Sequence, residues 1–225
     1  MPIAYYQLAP GNAGQPGYAV AKQLAFQCAA MFGPVRFTGA GVGPNSCCAA
    51  VATNPNPGAG FPASNPVTGF QLNAQPTFGA PALPYAVAFG NSQLAVGGLA
   101  VAVGGHAERV ALNAVAAVGG VGALYPPVAN SAVLFVELTP CLNCQNWLAG
   151  VADGGAANPF NGIINGAGAT TLHVWWRWEY PAPGVLPLGM GGLAALGGIP
   201  AMRDFHDAPP GVRLAWQWND INANW

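Results

Sequence analysis

The sequence predicts an α/β layered domain over residues 83–225, preceded by a helix and an irregular Gly/Pro-rich extension over residues 1–82. Two observations carry this expectation. Short β-branched or aromatic runs alternate with Ala/Leu-rich runs of helical length, the pattern of strands and helices packed in layers. Ser131–Leu138 (SAVLFVEL) is apolar almost without a break, as a strand buried on both faces must be. At 225 residues the chain is long enough for one generous domain with an appendage.

The elements follow in order. Ala19–Phe32 is rich in good helix formers and brings Leu24, Cys28 and Met31 near one face, so a helix is expected there. Gly39–Pro81 is dominated by Gly, Pro, Asn and Ser, including Asn54-Pro55-Asn56-Pro57-Gly58, which are turn signals with no period. A loop of that length is expected to drape over the surface or to link two parts. Tyr85–Phe89 and Leu94–Val103 flank Gly90-Asn91-Ser92 and read as a hairpin. His106–Val118 reads as a helix stopped by Gly119-Gly120. After the strand Ser131–Leu138, Pro140 opens a second helix that runs to Val151, because Pro is favoured in a helix's first turn. Thr170–Tyr180 is β-branched and aromatic, hence a strand; Leu188–Leu196 reads as a short helix and Val212–Trp218 as a last strand.

Composition narrows the function classes. Hydrophobic residues make up 52% of the chain and charged residues 6%, against about 25% charged in a typical soluble protein. Charge-driven disorder is excluded. With six Lys and Arg against seven Asp and Glu, the chain is also a poor phosphate-gripping nucleic-acid binder. The apolar windows Phe37–Ala107 and Gly184–Met202 are broken by Pro and Gly, so no membrane span is expected. The N-terminus shows neither a basic nor an apolar signal region, so no secretory signal is expected. Cys28, Cys47, Cys48, Cys141 and Cys144 are odd in number and include an adjacent pair, which does not read as a disulfide framework. Cys28 reads as a helix core residue, Cys47-Cys48 as structural or incidental rather than a redox site, and His173 as a packed strand histidine.

The chemistry concentrates in two motifs. His106-Ala107-Glu108 is followed, 32 positions after Glu108 (140 − 108), by Pro140-Cys141-Leu142-Asn143-Cys144. H-x-E followed by P-C-x-x-C is the signature of zinc-dependent nucleobase deaminases. Zinc in a hydrolytic site takes three protein ligands and keeps a position for water. One imidazole and two thiolates supply the three, and a C-x-x-C at a helix start puts both sulfurs on one turn. Glu108, two residues from His106, can face the water without ligating and move its proton. A redox pair or half of a structural zinc site would explain C-x-x-C alone, but a structural site needs a fourth ligand, and neither His173 nor His206 stands in an obvious position.

In motif order, motif spacing and strand–helix alternation, the stretch from Leu83 to Trp218 resembles the cytidine deaminase superfamily. Among its members it looks most like the bacterial toxin-type deaminases, which act on nucleic acid or nucleotides. The resemblance implies a three-layer α/β/α fold with a mixed five-stranded sheet. It implies zinc held by His106, Cys141 and Cys144, with Glu108 as proton shuttle. It also implies that backbone groups at Ala107, Thr139 and Pro140 hold the base. Many relatives place a substrate-binding Asn shortly before the His motif; Gly98–Gly105 has none, which leaves Asn91 and Asn113 as candidates. The immunity protein that accompanies a toxin is implied by resemblance only; the expected location is either the cytoplasm or a target cell, reached as a secreted effector without a visible signal peptide.

The aromatic residues suggest how a strand would be held. Trp176 and Trp178 share one face of their strand and Trp175 and Arg177 the other. Packing of the sheet accounts for most of these rings, while one or two can stack on bases without net positive charge. His206, in Arg203-Asp204-Phe205-His206-Asp207, is a candidate for lining a substrate channel. The expected activity is deamination of cytosine, with single-stranded DNA favoured. Free nucleosides, nucleotides or bases, adenine- or RNA-directed deamination, and a non-catalytic zinc module remain open, as does the oligomeric state.

Overall fold

The computed structural model describes residues 3–36, 46–53, 70–71, 86–93, 105–118, 124–127, 130–151, 157–161 and 170–178. These residues form β1 (Ile3–Gln7), a short 3-10 turn (Pro10–Asn12), α1 (Tyr18–Arg36), β2 (Ser46–Thr53), β3 (Phe70–Gln71) and β4 (Ala86–Gln93). They continue with α2 (Ala107–Val118), β5 (Ser131–Leu138), α3 (Leu142–Leu148) and β6 (Thr171–Trp178). The strands make one mixed α/β sheet in the order β1-β6-β5-β2-β4-β3. β1, β6 and β5 run parallel, while β2, β4 and β3 are joined antiparallel. Five strands have five to eight residues, and β3 adds a two-residue ribbon at one edge.

Alternation along the strands builds two cores. On one face Ala49, Val51, Ala88, Leu134, Val136, Leu172 and Val174 meet Ala107, Ala111, Leu112 and Val115 of α2 and Trp147 and Leu148 of α3. On the other, Cys48, Ala50, Phe89, Val133, Phe135 and Trp175 meet Ala21, Leu24, Ala25 and Cys28 of α1. Helices therefore cover both faces. β5 is buried along its whole length, which explains why its sequence is apolar without alternation.

Four expectations are corrected. The boundary at residue 82 is not a structural one. β1 and β2 both precede it, yet β1 pairs with β6, and β2 lies inside the sheet between β5 and β4. A mixed five-stranded sheet was expected; the sheet is mixed and has five strands of five to eight residues plus the two-residue β3, but β1 and β2 belong to the set, and the expected N-terminal extension supplies them along with α1. The hairpin at Gly90-Asn91-Ser92 is not formed: β4 runs straight through these residues, in unbroken register with β2 from Ser46↔Gln93 to Thr53↔Ala86. A long antiparallel partner upstream outweighs the local turn signal. Finally, α3 starts at Leu142 with Cys141 as its N-cap, and stops at Leu148. Pro140 thus precedes the helix. α1 is longer than expected, continuing through Gly33-Pro34 to Arg36. The expected elements at Leu94–Val103, Leu188–Leu196 and Val212–Trp218 lie outside the described residues. No described helix is long and apolar enough to cross a membrane.

Candidate metal centre

Each half of the two-part motif sits at a helix start. His106 is the residue before α2, and its carbonyl accepts from Val110 N at 3.0 Å, so it caps the helix. Cys141 does the same for α3, accepting from Gln145 N at 2.9 Å, and Cys144 follows within the first turn. The Gln145 amide Nε2 donates to the Pro140 carbonyl at 2.7 Å and pins the turn. α2 is seated on the sheet by Gly90, whose missing side chain lets β4 lie against the Ala107 carbonyl and the Ala111 nitrogen.

The result is one cluster. His106 Nδ1 lies 3.1 Å from Cys144 Sγ and 3.5 Å from Cys141 Sγ. All three donor atoms fall within 4.8 Å of one another, a group that could hold a metal ion. Cys144 is buried, while His106 and Cys141 are half-buried. The thiols share their protons unequally. The hydrogen bond from Cys144, reinforced by His106, pushes the Cys141 thiol down to about 4, and Cys144 is pushed up in return. The imidazole of His106 is raised, first by its bond to Cys141.

Glu108 is 4% exposed, in the first turn of α2 beside this cluster. Burial raises its carboxyl, and a hydrogen bond with Cys144 opposes the rise. Arg109, 2% exposed, donates Nε–H to Cys144 Sγ at 3.4 Å and a terminal N–H to the Asn143 carbonyl at 3.0 Å. Its guanidinium also lies 5.0 Å over the Trp147 ring. A buried cation therefore clamps the turn that carries Cys144, and the hydrogen bond to sulfur favours the thiolate.

The structure brings His106, Glu108, Cys141 and Cys144 together; the other expected site residues fall differently. Ala107 and Pro140 are buried and Thr139 half-buried, all adjoining the cluster in sequence. Trp176 is half-exposed and, two positions after Val174, lies on the α2/α3 face. Trp175 is fully buried against α1, and buried Arg177 donates to the Leu8 carbonyl at 2.9 Å, so both are structural. Asn91 is not brought to the cluster. Alternation along β4 turns it, with Val87 and Phe89, toward the α1 side. Asn113 is exposed on α2. His206 and the side chain of Trp178 lie outside the described residues. His173 is buried in β6 and stacked on Tyr6 at 6.0 Å, as expected of a packed histidine. Arg109 was not singled out from the sequence, although an arginine in a chain with six Lys and Arg, next to the His motif, was a usable signal.

No protein-family model, curated protein or solved structure matches the chain.

Proposed function

We propose that the chain is a zinc-dependent hydrolytic deaminase with the cytidine deaminase fold, converting cytosine to uracil, with single-stranded DNA as the favoured substrate. It would belong with the toxin-type members of that superfamily. The observation that carries this reading is the pairing of a His/Cys/Cys donor group with a buried carboxyl, Glu108, that is not one of the donors. The layered α/β/α arrangement around a mixed sheet supports it.

The donor set suits zinc. Zn–N and Zn–S bonds of about 2.1 and 2.3 Å at a tetrahedral angle put nitrogen and sulfur about 3.6 Å apart. His106 to Cys141, at 3.5 Å, already meets this, and Cys144, at 3.1 Å, needs to draw back by about half an ångström. Three protein donors leave a tetrahedral site one position short, the mark of a catalytic centre. The chemistry that zinc supplies when bound is to lower the pKa of a coordinated water to about 7.

The remaining work falls to the chain. Glu108 is held out of water, which raises its proton affinity toward the range a proton shuttle needs. It takes a proton from the attacking water and gives it to the ring nitrogen. As the oxygen–carbon bond forms and the carbon–amine bond breaks, a second proton passes through Glu108 to the departing ammonia. Arg109 holds Cys144 in place. Half-exposed Trp176 offers a stacking surface that needs no net positive charge, which suits a chain of net charge −1.

The test is metal analysis joined to an ammonia-release assay over single-stranded oligonucleotides, nucleosides and free bases. One zinc per chain, lost in His106→Ala and Cys144→Ala, together with ammonia release from cytosine, is expected. Zinc binding without ammonia release from any of these substrates would leave only a metal-binding module.

A further inference from the structure

The five cysteines of the chain are all free thiols, and they differ in access. Cys28, Cys47, Cys48 and Cys144 are buried, whereas Cys141 is half-buried at the start of α3. An oxidant in solution therefore meets Cys141 first. Cys144 follows three positions later in the same turn, and the two sulfurs lie within 4.8 Å of each other. One atom, His106 Nδ1, reaches both, at 3.5 Å from Cys141 Sγ and 3.1 Å from Cys144 Sγ. Arg109 Nε–H holds Cys144 Sγ at 3.4 Å and so keeps the buried thiol in the group. A disulfide needs sulfurs about 2.0 Å apart and Cα atoms no more than about 7 Å apart. Positions three apart on a helical turn have Cα atoms about 5 Å apart, which meets the second condition. Closing the first takes movement of two side chains that already face each other.

We propose that Cys141 and Cys144 form a reversible oxidation site, in which a peroxide joins the two thiols as an intrachain disulfide and the disulfide excludes the metal. The inference rests on the reading of this group as a metal centre and adds a regulation to it. Hydrogen peroxide transfers one oxygen to the Cys141 sulfur, giving a sulfenic acid and one water. The Cys144 sulfur then attacks the Cys141 sulfur: the S–S bond forms, the S–O bond breaks, and the departing hydroxide leaves with the Cys144 proton as a second water. The two thiols lose two electrons, and the O–O bond takes them up. Cys144 stands where it captures the sulfenic acid before the irreversible steps to sulfinic and sulfonic acid. Metals of this kind bind thiolate sulfur, so the bond leaves His106 as the one donor of the three. A dithiol reductant returns both thiols and the full donor set.

The test uses the full chain, zinc-loaded and metal-free, with hydrogen peroxide as the probe. In the metal-free chain, free thiols are expected to fall from five to three, and the peptide holding residues 141–144 to lose two hydrogens in mass. Dithiothreitol restores all five. The zinc-loaded chain is expected to release one zinc for each disulfide formed, read with a chromogenic chelator, and to rebind it after reduction. Cys141→Ser is expected to keep its four remaining thiols under the same treatment. Five thiols retained by the wild type, a bond from either residue to Cys28, Cys47 or Cys48, or a disulfide that forms while zinc stays bound would overturn the proposal. So would Cys141 driven to sulfinic acid with Cys144 still free. A reduced chain that takes up no zinc would overturn the metal reading, and with it the exclusion of metal, while the thiol count still decides whether the pair closes.

Discussion

Without the guanidinium of Arg109, which is itself buried, Cys144 Sγ loses one of its hydrogen bonds and the Asn143 carbonyl loses its donor. Groups that orient a metal ligand in this way typically cost 10–100-fold in affinity when removed. Arg109→Ala is therefore expected to weaken zinc binding by roughly that factor and stability by about 1–3 kcal/mol. A chelator-competition titration and a denaturant melt measure the two. His173 gives a second test at this scale. Burial lowers its pKa from 6.5, and its Nδ1 has no partner. Below pH 6.5 the unfolded chain thus takes up a proton that the folded chain refuses, and stability falls as pH drops. His173→Phe, which keeps a ring against Tyr6, is expected to flatten the fall between pH 7.5 and 5.5 in paired denaturant melts, both values being chosen to straddle about 6.5. The His106/Cys141/Cys144 group and its neighbour Glu108 were legible in the sequence as a cluster because each motif is local: its spacing at a helix start holds its own side chains together.

Among the elements, α2 depends most on a single position in its neighbour. A Cβ at residue 90 would lie 2.6 Å from the Ala111 nitrogen and would collide with the Ala107 carbonyl, both of them backbone. Backbone cannot yield as a side-chain end can, so Gly90→Ala must lift the start of α2, and with it His106 and Glu108. Such overpacking costs about 1–3 kcal/mol. The variant is expected to lose that much stability together with most of its zinc, read by denaturant melts and metal analysis; retained zinc would show that α2 is seated otherwise. The Gly-Asn-Ser triplet at 90–92 reads as a hairpin turn because that composition marks hairpins in general. Its other meaning, a strand glycine where another backbone comes close, becomes evident only once α2 is in place. β5, by contrast, was legible to the residue, since burial on both faces leaves no room for polar side chains other than Ser131 and Glu137.

At the scale of the molecule, the described residues among the first 82 are part of the fold. β2 is flanked by β5 and β4, and α1 closes one face of the sheet. A fragment beginning at residue 83 would expose the apolar rows of β5 and the α1-facing core, and it is expected not to fold. Circular dichroism and amide dispersion of residues 83–225 test this; a cooperatively melting fragment would restore the boundary that composition suggested. That boundary was misread because Gly- and Pro-rich connections dominate residues 39–81, and two short runs of strand were hidden among small residues such as Ser-Cys-Cys-Ala-Ala-Val-Ala-Thr. The most direct measurement of the whole account is C-to-U conversion in a single-stranded oligonucleotide by the zinc-loaded chain, beside Glu108→Gln at matched zinc content. Conversion by the wild type, reduced by at least about a hundredfold in the variant, is the expected result. Conversion that survives Glu108→Gln, or no conversion by a chain carrying its full zinc, would contradict it.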